Sequence, residues 1–424
     1  MNRAVRDYLV FLQRCGRIAF VGDWRYYAWM GALTVLCLIG LNAYAKQLVH
    51  GLITTGMSDQ VSWGVYIANF TFLVGVAAAA VMMVIPVYIY DNAELHDLVI
   101  FGELLAVAAI LMCLAFVTVD LGRPDRFWHL IPGIGQLNFP ASMLSWDVIV
   151  LNGYLLLNVH ICGYLLYCRY QDKKPSKWFY IPFVFVAIGW AVSIHTVTAF
   201  LYVGLGGRPF WNSSIVGPRF LASAFTAGPA MIILALQIIR HITAYHITDK
   251  ALLTLRGIVQ VSMLINVFLL VNEVFKEFYS GNLHVASSKY LYLGLDGYHA
   301  LVPWIWTAIV FNLVAMFLLV LPLSRSLKWL NLTCVLCITG IWIEKGMGLV
   351  IPGFIPTPLG QIVEYRPSLN ETLICVGIWA FGLLAYTIFL RMSVPILQGR
   401  LSKANEARPL PAAAGGPAAA SARP

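Results

Sequence analysis

Apolar residues dominate this 424-residue chain in ten separate runs, at roughly 27–48, 63–90, 98–119, 143–168, 180–203, 218–243, 255–275, 299–322, 328–350 and 371–395. A helix needs about 20 such residues to cross the hydrocarbon core of a bilayer. Polar, Gly and Pro residues separate the runs. The pattern predicts an all-α polytopic membrane protein with about ten transmembrane helices. No pair of runs is visibly broken by Gly or Pro near the midplane, as the substrate sites of many transporters are.

Composition sharpens this reading. The chain is 60% hydrophobic and only 11% charged, against about 25% charged in soluble domains, which excludes an ordinary water-soluble enzyme. Its first 26 residues hold five arginines and no cleavable apolar core, so the first span is expected to act as its own insertion signal. Residues 1–26 are expected to be a cytoplasmic segment, 27–395 the membrane domain, and 396–424, rich in Ala, Pro and Gly from Pro409, a disordered cytoplasmic tail.

The positive charges fall unevenly between the two sides. Of the 28 Lys and Arg residues, one side collects the N-terminal arginines, the loop around Lys173 and Lys174, Arg240, Lys250, Arg256, Arg325, Lys328 and the C-terminal group. The other side has Lys46, Arg123, Arg126, Arg208, Arg219, Lys276, Lys289, Lys345 and Arg366. The positive-inside rule places both termini in the cytoplasm. The net charge of +9 then anchors inner loops and needs no nucleic acid. The long loops, rich in Trp, Tyr, Gly and Pro, all lie outside, where partners are expected to dock.

Eight cysteines suggest no disulfide framework. Cys334 and Cys337 form a lone C-x-x-C, read as two small apolar residues on one helix face. There is no C-x-x-C-H haem site and no ferredoxin-type cysteine run.

Chemistry is expected where polar groups interrupt the apolar runs, because such groups are expensive in lipid and normally face a protein interior. His195 sits about eight residues below the outer end of the fifth span, or roughly 12 Å. Asp147, Asn69, Glu273 with Asn272, and Glu344 with Lys345 lie in the outer halves of their spans. Glu103 and His160 lie toward the inner side. Plainer readings exist for each: a local charge pair for Glu344 and Lys345, a helix-start carboxylate for Glu103 or Asp147, and core packing for either histidine. A haem held by two histidines is disfavoured, because no second imidazole shares the depth of His195. Two outer segments repeat a pattern, Leu121 to Pro132 (LGRPDRFWHLIP) and Leu205 to Phe220 (LGGRPFWNSSIVGPRF). An interfacial Arg and Trp belt accounts for either one, but the repetition favours a duplicated helix pair.

These residues resemble the NrfD/PsrC family of integral membrane subunits. The resemblance is carried by Trp63-Gly64 with Phe70 and Gly75, Asp120-Leu-Gly-Arg-Pro124, the His195 segment with its Gly-Arg-Pro-Phe-Trp211 loop, and Pro218-Arg-Phe-Leu-Ala-Ser-Ala224. It spans about residues 20–395. Within the family it is most similar to the DsrP-type subunits of sulfite-reduction-associated complexes, through VSWGVYIANFTFLVGVAA, GELLAVAAILMCLAFVTVDLG, WDVIVLNGYLLLN and WIEKGMG. The resemblance implies two four-helix bundles, with the first and tenth spans as flanking extensions. It implies a quinone site near the outer face, for menaquinone or ubiquinone as bound substrate, and no haem or iron–sulfur cluster in this chain.

The implied setting is a bacterial or archaeal cytoplasmic membrane, with the chain as a non-autonomous, quinone-reactive part of a respiratory oxidoreductase linked to sulfur metabolism. A ferredoxin-like iron–sulfur subunit would dock on the outer face. Further implied partners are a multihaem cytochrome c and a second, haem b membrane subunit with a cytoplasmic iron–sulfur subunit. Some family members carry Tyr where His195 stands, so His195 is expected to contact the quinone head group in a different protonation chemistry. Tyr202, Asp147, Trp63, Tyr66 and Asn69 are expected to complete the quinone site. Glu273, Asp147, Glu344 and, on the inner side, Glu103 are expected to move protons. Arg123, Arg208, Trp128 and Trp211 are expected at the docking surface. A solute transporter and a purely structural anchor are the alternatives. For the topology, a reporter fused at Gly415 is predicted to score as cytoplasmic; activity of a reporter that works only outside the membrane would contradict it.

Overall fold

A computed structural model describes residues 3–281 and 285–405. Among these, ten helices are long and apolar enough to cross a membrane, and the only β features are two isolated bridges. An N-terminal helix α1 (Arg3–Ala19) precedes the first span, α2 (Trp24–His50). The second span is split into α3 (Val65–Ala78) and α4 (Val81–Tyr88), followed by a short turn of helix, α5 (Ala93–His96). Then come α6 (Val99–Asp120), α7 (Met143–Tyr170), α8 (Lys177–Val203), α9 (Val216–Ile242) and α10 (Asp249–Ser280). A short helix α11 (Val285–Tyr292) leads to α12 (Val302–Val320), α13 (Leu327–Lys345), the brief α14 (Met347–Val350) and α15 (Leu369–Leu397).

Packing sorts the spans into two rings of four and one pair. Helix α3 packs on α6, α6 on α7, α7 on α8 and α8 back on α3; likewise α9 packs on α10, α10 on α12, α12 on α13 and α13 back on α9. Helices α2 and α15 pair with each other, and α15 leans on α6. The two four-helix bundles and two flanking helices are therefore both present. The rings meet along α3 and α9, with α8 and α13 on either side of that seam. Helix α3 is buried nearly all round, which is why its sequence is apolar on every face rather than striped.

Small residues let the bundles approach. A Cβ on Gly228 of α9 would clash with that of Ala79, and one on Gly75 of α3 would meet Ala224 at 3.4 Å. In lipid, where apolar surface gains nothing by leaving one apolar medium for another, such close contact is what holds helices together. At the crossing the second span turns: the Met82 and Met83 amides bond back only three residues, to Ala79 and Ala80 at 2.9 Å. The ninth span also breaks, at Gly346. The apolar pattern holds no sign of either interruption, because alanines make the first and the second lies at the span's outer end.

The two chain ends are tied together on one side. Arg14 of α1 donates to the Ser402 and Asn405 carbonyls, both at 3.0 Å, and Lys403 pairs with Asp7 at 2.7 Å. Residues 396–405, expected within the tail, are thus held against the fold, with Leu401 fully buried; residues 406–424 lie outside the described residues. At the other end of the pair, Glu371 opens α15 in a capping box with Ser368 and also accepts from the Gly56 amide at 2.7 Å and the Tyr365 hydroxyl at 2.8 Å. Burial beside this carboxylate pushes the Tyr365 phenol well above its usual range. Tyr365 in turn accepts from the Val65 amide at 2.9 Å, fixing the start of α3.

The Gly228 crossing yields a like-for-like test. Gly228→Ala is predicted to destabilise the detergent-solubilised protein by about 1–3 kcal/mol through overpacking. Gly257→Ala, on α10 with open space around it, should match wild type or gain up to ~1 kcal/mol. Thermal unfolding of the two variants measures the difference.

Candidate functional site

Two adjacent residues on α9 and two on α13 organise the polar interior. Consecutive helical residues point about 100° apart. Arg219 and Glu344 therefore turn into the second bundle, while Phe220 and Lys345 turn toward the seam between bundles.

In the second bundle the buried Arg219 guanidinium joins two carboxylates. One nitrogen pairs with Glu273 of α10, and the other reaches Glu344 at 2.6 Å. The second oxygen of Glu344 accepts from Asn312 of α12 at 2.6 Å. One charged knot thus ties all four helices of the ring. Glu277, lining the same narrow cavity, pairs with Lys276 at 3.0 Å. Glu344 and Lys345, readable as a local charge pair, face different cavities, and Arg219 is the partner Glu344 uses.

At the seam, His195 of α8 is fully buried and its Nε2 lies 2.9 Å from the Phe220 carbonyl. A carbonyl only accepts, so Nε2 carries the hydrogen and Nδ1 is left as an acceptor. Nδ1 has no partner among the described residues. The Phe220 carbonyl also accepts from Ser223 at 2.9 Å. The Phe220 ring packs against His195, centroids 5.7 Å apart, with Lys345 Nζ 5.2 Å from its centre. Thr71, Gly75, Ser223, Ile341 and Lys345 line the narrow crevice beside His195. Gly75 is required there: a Cβ would stand 3.3 Å from the imidazole.

The other expected quinone ligands are spread over different faces. Tyr202 is nearest, its hydroxyl 2.5 Å from Thr71 on the rim of the crevice. Thr71 donates to the Ile67 carbonyl at 2.8 Å and so accepts from Tyr202. Asp147 accepts from Thr198 at 3.2 Å, one turn from His195 on α8. Trp63 packs outward of these against Tyr202, Trp211 and Phe354. Tyr66 points away, to Gln47 of α2 at 2.8 Å. Asn69 also points away, its carbonyl receiving the indole hydrogens of Trp342 and Trp379 at 3.0 and 2.9 Å. Three of the expected ligands thus sit near the crevice or against Tyr202, while Tyr66 and Asn69 cross-link helices elsewhere. Near the start of α6, Glu103 is fully buried and accepts from the Cys162 thiol at 3.1 Å. His160 lies on the lipid-facing surface against Phe179 and Phe183.

A family model, polysulphide reductase NrfD, matches residues 53–356. The chain belongs to the polysulphide reductase NrfD family. It is also 27% identical over 350 residues to a Halobacterium salinarum protein provisionally named as a membrane component of dimethyl sulfoxide reductase, covering 77% of each chain. It is 22% identical to the Hdr-like menaquinol oxidoreductase integral membrane subunit of Archaeoglobus fulgidus, covering 87% of this chain and 93% of that one. It is likewise 22% identical to a selenate reductase subunit of Mesobacillus selenatarsenatis, covering 47% of this chain and 54% of the other. This NrfD protein is thereby a membrane subunit of an oxidoreductase family generally found in quinone-linked anaerobic respiratory complexes. The relatives support the family and do not single out the DsrP type.

Of the docking residues expected in this NrfD chain, Arg123 and Trp128 are exposed. Arg123 holds Asp125 in a two-pronged pair at 3.0 and 2.9 Å, which keeps that carboxyl below its usual range. Arg208 is half-buried and clamps the Phe354 loop, donating to its carbonyl at 3.3 Å. Trp211 is 0% exposed and donates to the Leu349 carbonyl at 2.9 Å, so it is core and not docking surface. The two Gly-Arg-Pro repeats both open as 3-10 turns after a span, but only the first leaves its Phe and Trp, Phe127 and Trp128, exposed. Among the described residues no three His, Cys, Asp or Glu side chains gather as metal ligands. Thr71 and Asn312 are site residues that the sequence pattern does not single out. Arg219 and Phe220 belong to the segment that carries the family resemblance, but Arg219 reads only as an outer charge, although it stands inside the apolar run 218–243, which has no other cation until Arg240.

The Arg219 knot makes a stability prediction. Arg219→Met leaves two buried carboxylates without their cation and is expected to cost about 3–5 kcal/mol. Adding Glu344→Gln should recover part of that loss. Thermal melting of both variants in detergent decides it; an unchanged melting point for Arg219→Met would contradict the buried-pair assignment.

Proposed function

We propose that this chain is the quinone-reactive membrane subunit of a respiratory oxidoreductase, exchanging electrons between menaquinone or ubiquinone and a ferredoxin-like iron–sulfur subunit docked on its outer face. The observation that supports it most is the fixed His195 tautomer, with its acceptor nitrogen turned into an apolar crevice. A quinol gives up two protons as its two electrons leave. Nδ1 of His195 takes a hydrogen bond from one hydroxyl and then its proton. Asp147 of α7, hydrogen-bonded to Thr198 one turn from His195, serves the second proton. The crevice as it stands is narrower than a quinone ring, so docking displaces rim side chains, Phe72 and Ile341 among them.

Glu273 and Glu344 both pair with Arg219, so in this reading they set the local field rather than carry protons themselves. Glu103 is the inner proton station. The exposed loop around Arg123 and Trp128 receives the iron–sulfur partner. The chain lies in a bacterial or archaeal cytoplasmic membrane with both termini inside. The remaining assembly follows the DsrP type, with a multihaem cytochrome c, a haem b subunit and a role in sulfur metabolism.

Purification with its partners tests the reading. The native complex should yield quinone on lipid extraction and turn over an added quinol, and His195→Ala should slow that turnover by about 10²–10⁴-fold, the usual contribution of a general base. A complex without quinone and without quinol turnover would favour the structural anchor. Normal turnover in His195→Ala would remove His195 from the site.

A further inference from the structure

His195 Nδ1 and Lys345 Nζ are buried nitrogens without a hydrogen-bond partner among the described residues, and their side chains line the same crevice. They come from different bundles, His195 from α8 and Lys345 from α13. Their chemistry is complementary: Nδ1 is an acceptor, and Nζ donates in either protonation state. Left unsatisfied, each would cost about 1–3 kcal/mol. Between quinol-binding events the closed crevice is narrow and lined by such groups, which suits a single water, since a water needs two to four polar partners. Ser223 and Thr71 supply further hydroxyl oxygens on the rim.

We propose that this crevice holds one water bridging His195 Nδ1 to Lys345 Nζ, and that it carries protons from the first bundle to the second. The inference rests on the reading of His195 as the quinol's proton acceptor. The step balances without a further reactant. Once the oxidised quinone has left and the water has taken its place, the imidazolium formed at His195 gives its Nδ1 proton to the water, the water gives one of its own to the neutral Lys345 amine, and an ammonium results. Arg219 faces two carboxylates, Glu273 and Glu344, while Glu277 has Lys276 as its own partner. Lys345 is better suited to exchange than either glutamate, because its nitrogen is not engaged by Arg219 and faces the crevice.

Lys345→Met and Lys345→Arg in the intact complex separate proton exchange from charge balance. Arginine keeps the positive charge but does not give up its proton. Both variants are expected to lose at least tenfold in quinol turnover while retaining the wild-type quinone content. Turnover within twofold of wild type in either variant overturns the proposal. Should the variants fail to assemble, an experimental density map of the wild-type complex at a resolution that shows waters decides: density between Nδ1 and Nζ supports the bridge, and its absence overturns it. The outcome differs from a failure of the quinone reading, which would show as a wild-type complex without quinone or as an indifferent His195→Ala.

Discussion

A guanidinium in a nonpolar interior must find its counter-charges within the fold, and Arg219 finds two. Taking each ion out of water costs several kcal/mol even after relaxation. The knot is tolerable only if its geometry is met on every side: Glu273 from α10, Glu344 from α13, and Asn312 from α12 at the remaining carboxylate oxygen. That demand fixes the rotation of α9 and α13 about their own axes. Once those rotations are set, the next residue on each helix has no choice of direction. Phe220 and Lys345 must face the seam, and the Phe220 carbonyl must meet His195. The crevice at the seam is a by-product of the charged knot behind it.

Close packing supplies the second constraint. Gly75, Ala79, Ala224 and Gly228 bring α3 and α9 together at the depth where His195 enters. Larger residues would widen the seam, and water could then reach the imidazole freely. Bulk is instead concentrated above it, where Trp63, Tyr202, Trp211 and Phe354 pack edge to face and tilted. These rings close one end of the crevice with little polar surface, and the polar side chains on its walls are the Thr71 and Ser223 hydroxyls, the His195 imidazole and the Lys345 amine.

Much of this architecture was legible in the sequence, because a bilayer reduces the choices. Ten apolar runs became ten spans, most boundaries shifting by a few residues in either direction, and the largest extension is in α10, which runs from Asp249 to Ser280. His195 and Tyr202 were legible for a like reason: polar groups in apolar runs need a destination. Which destination was not legible. Tyr66 and Asn69 share α3 with Gly75, yet one turns to Gln47 and the other to two indoles, since a helix buried all round gives no periodic clue to which face meets which neighbour. Trp211 reads as surface because its twin repeat is surface; burial under Phe354 depends on a loop more than 140 residues away. The separation of Glu344 from Lys345 needed the position of Arg219, a contact across 125 residues.

The pairing of α2 with α15 has a consequence for biogenesis. The first span to leave the ribosome finds its main neighbour in the last. Until about 400 residues have been made, α2 lacks the surface it packs on, the Gly56 amide lacks Glu371, and Arg14 lacks the carbonyls of Ser402 and Asn405. Contacts so distant in sequence form late. The two bundles can pack as they emerge, but the clasp around them closes only once α15 and residues 402–405 have been made. A product cut short before α15 would therefore expose unpaired α2 and a loose α1 to the quality-control machinery of the membrane.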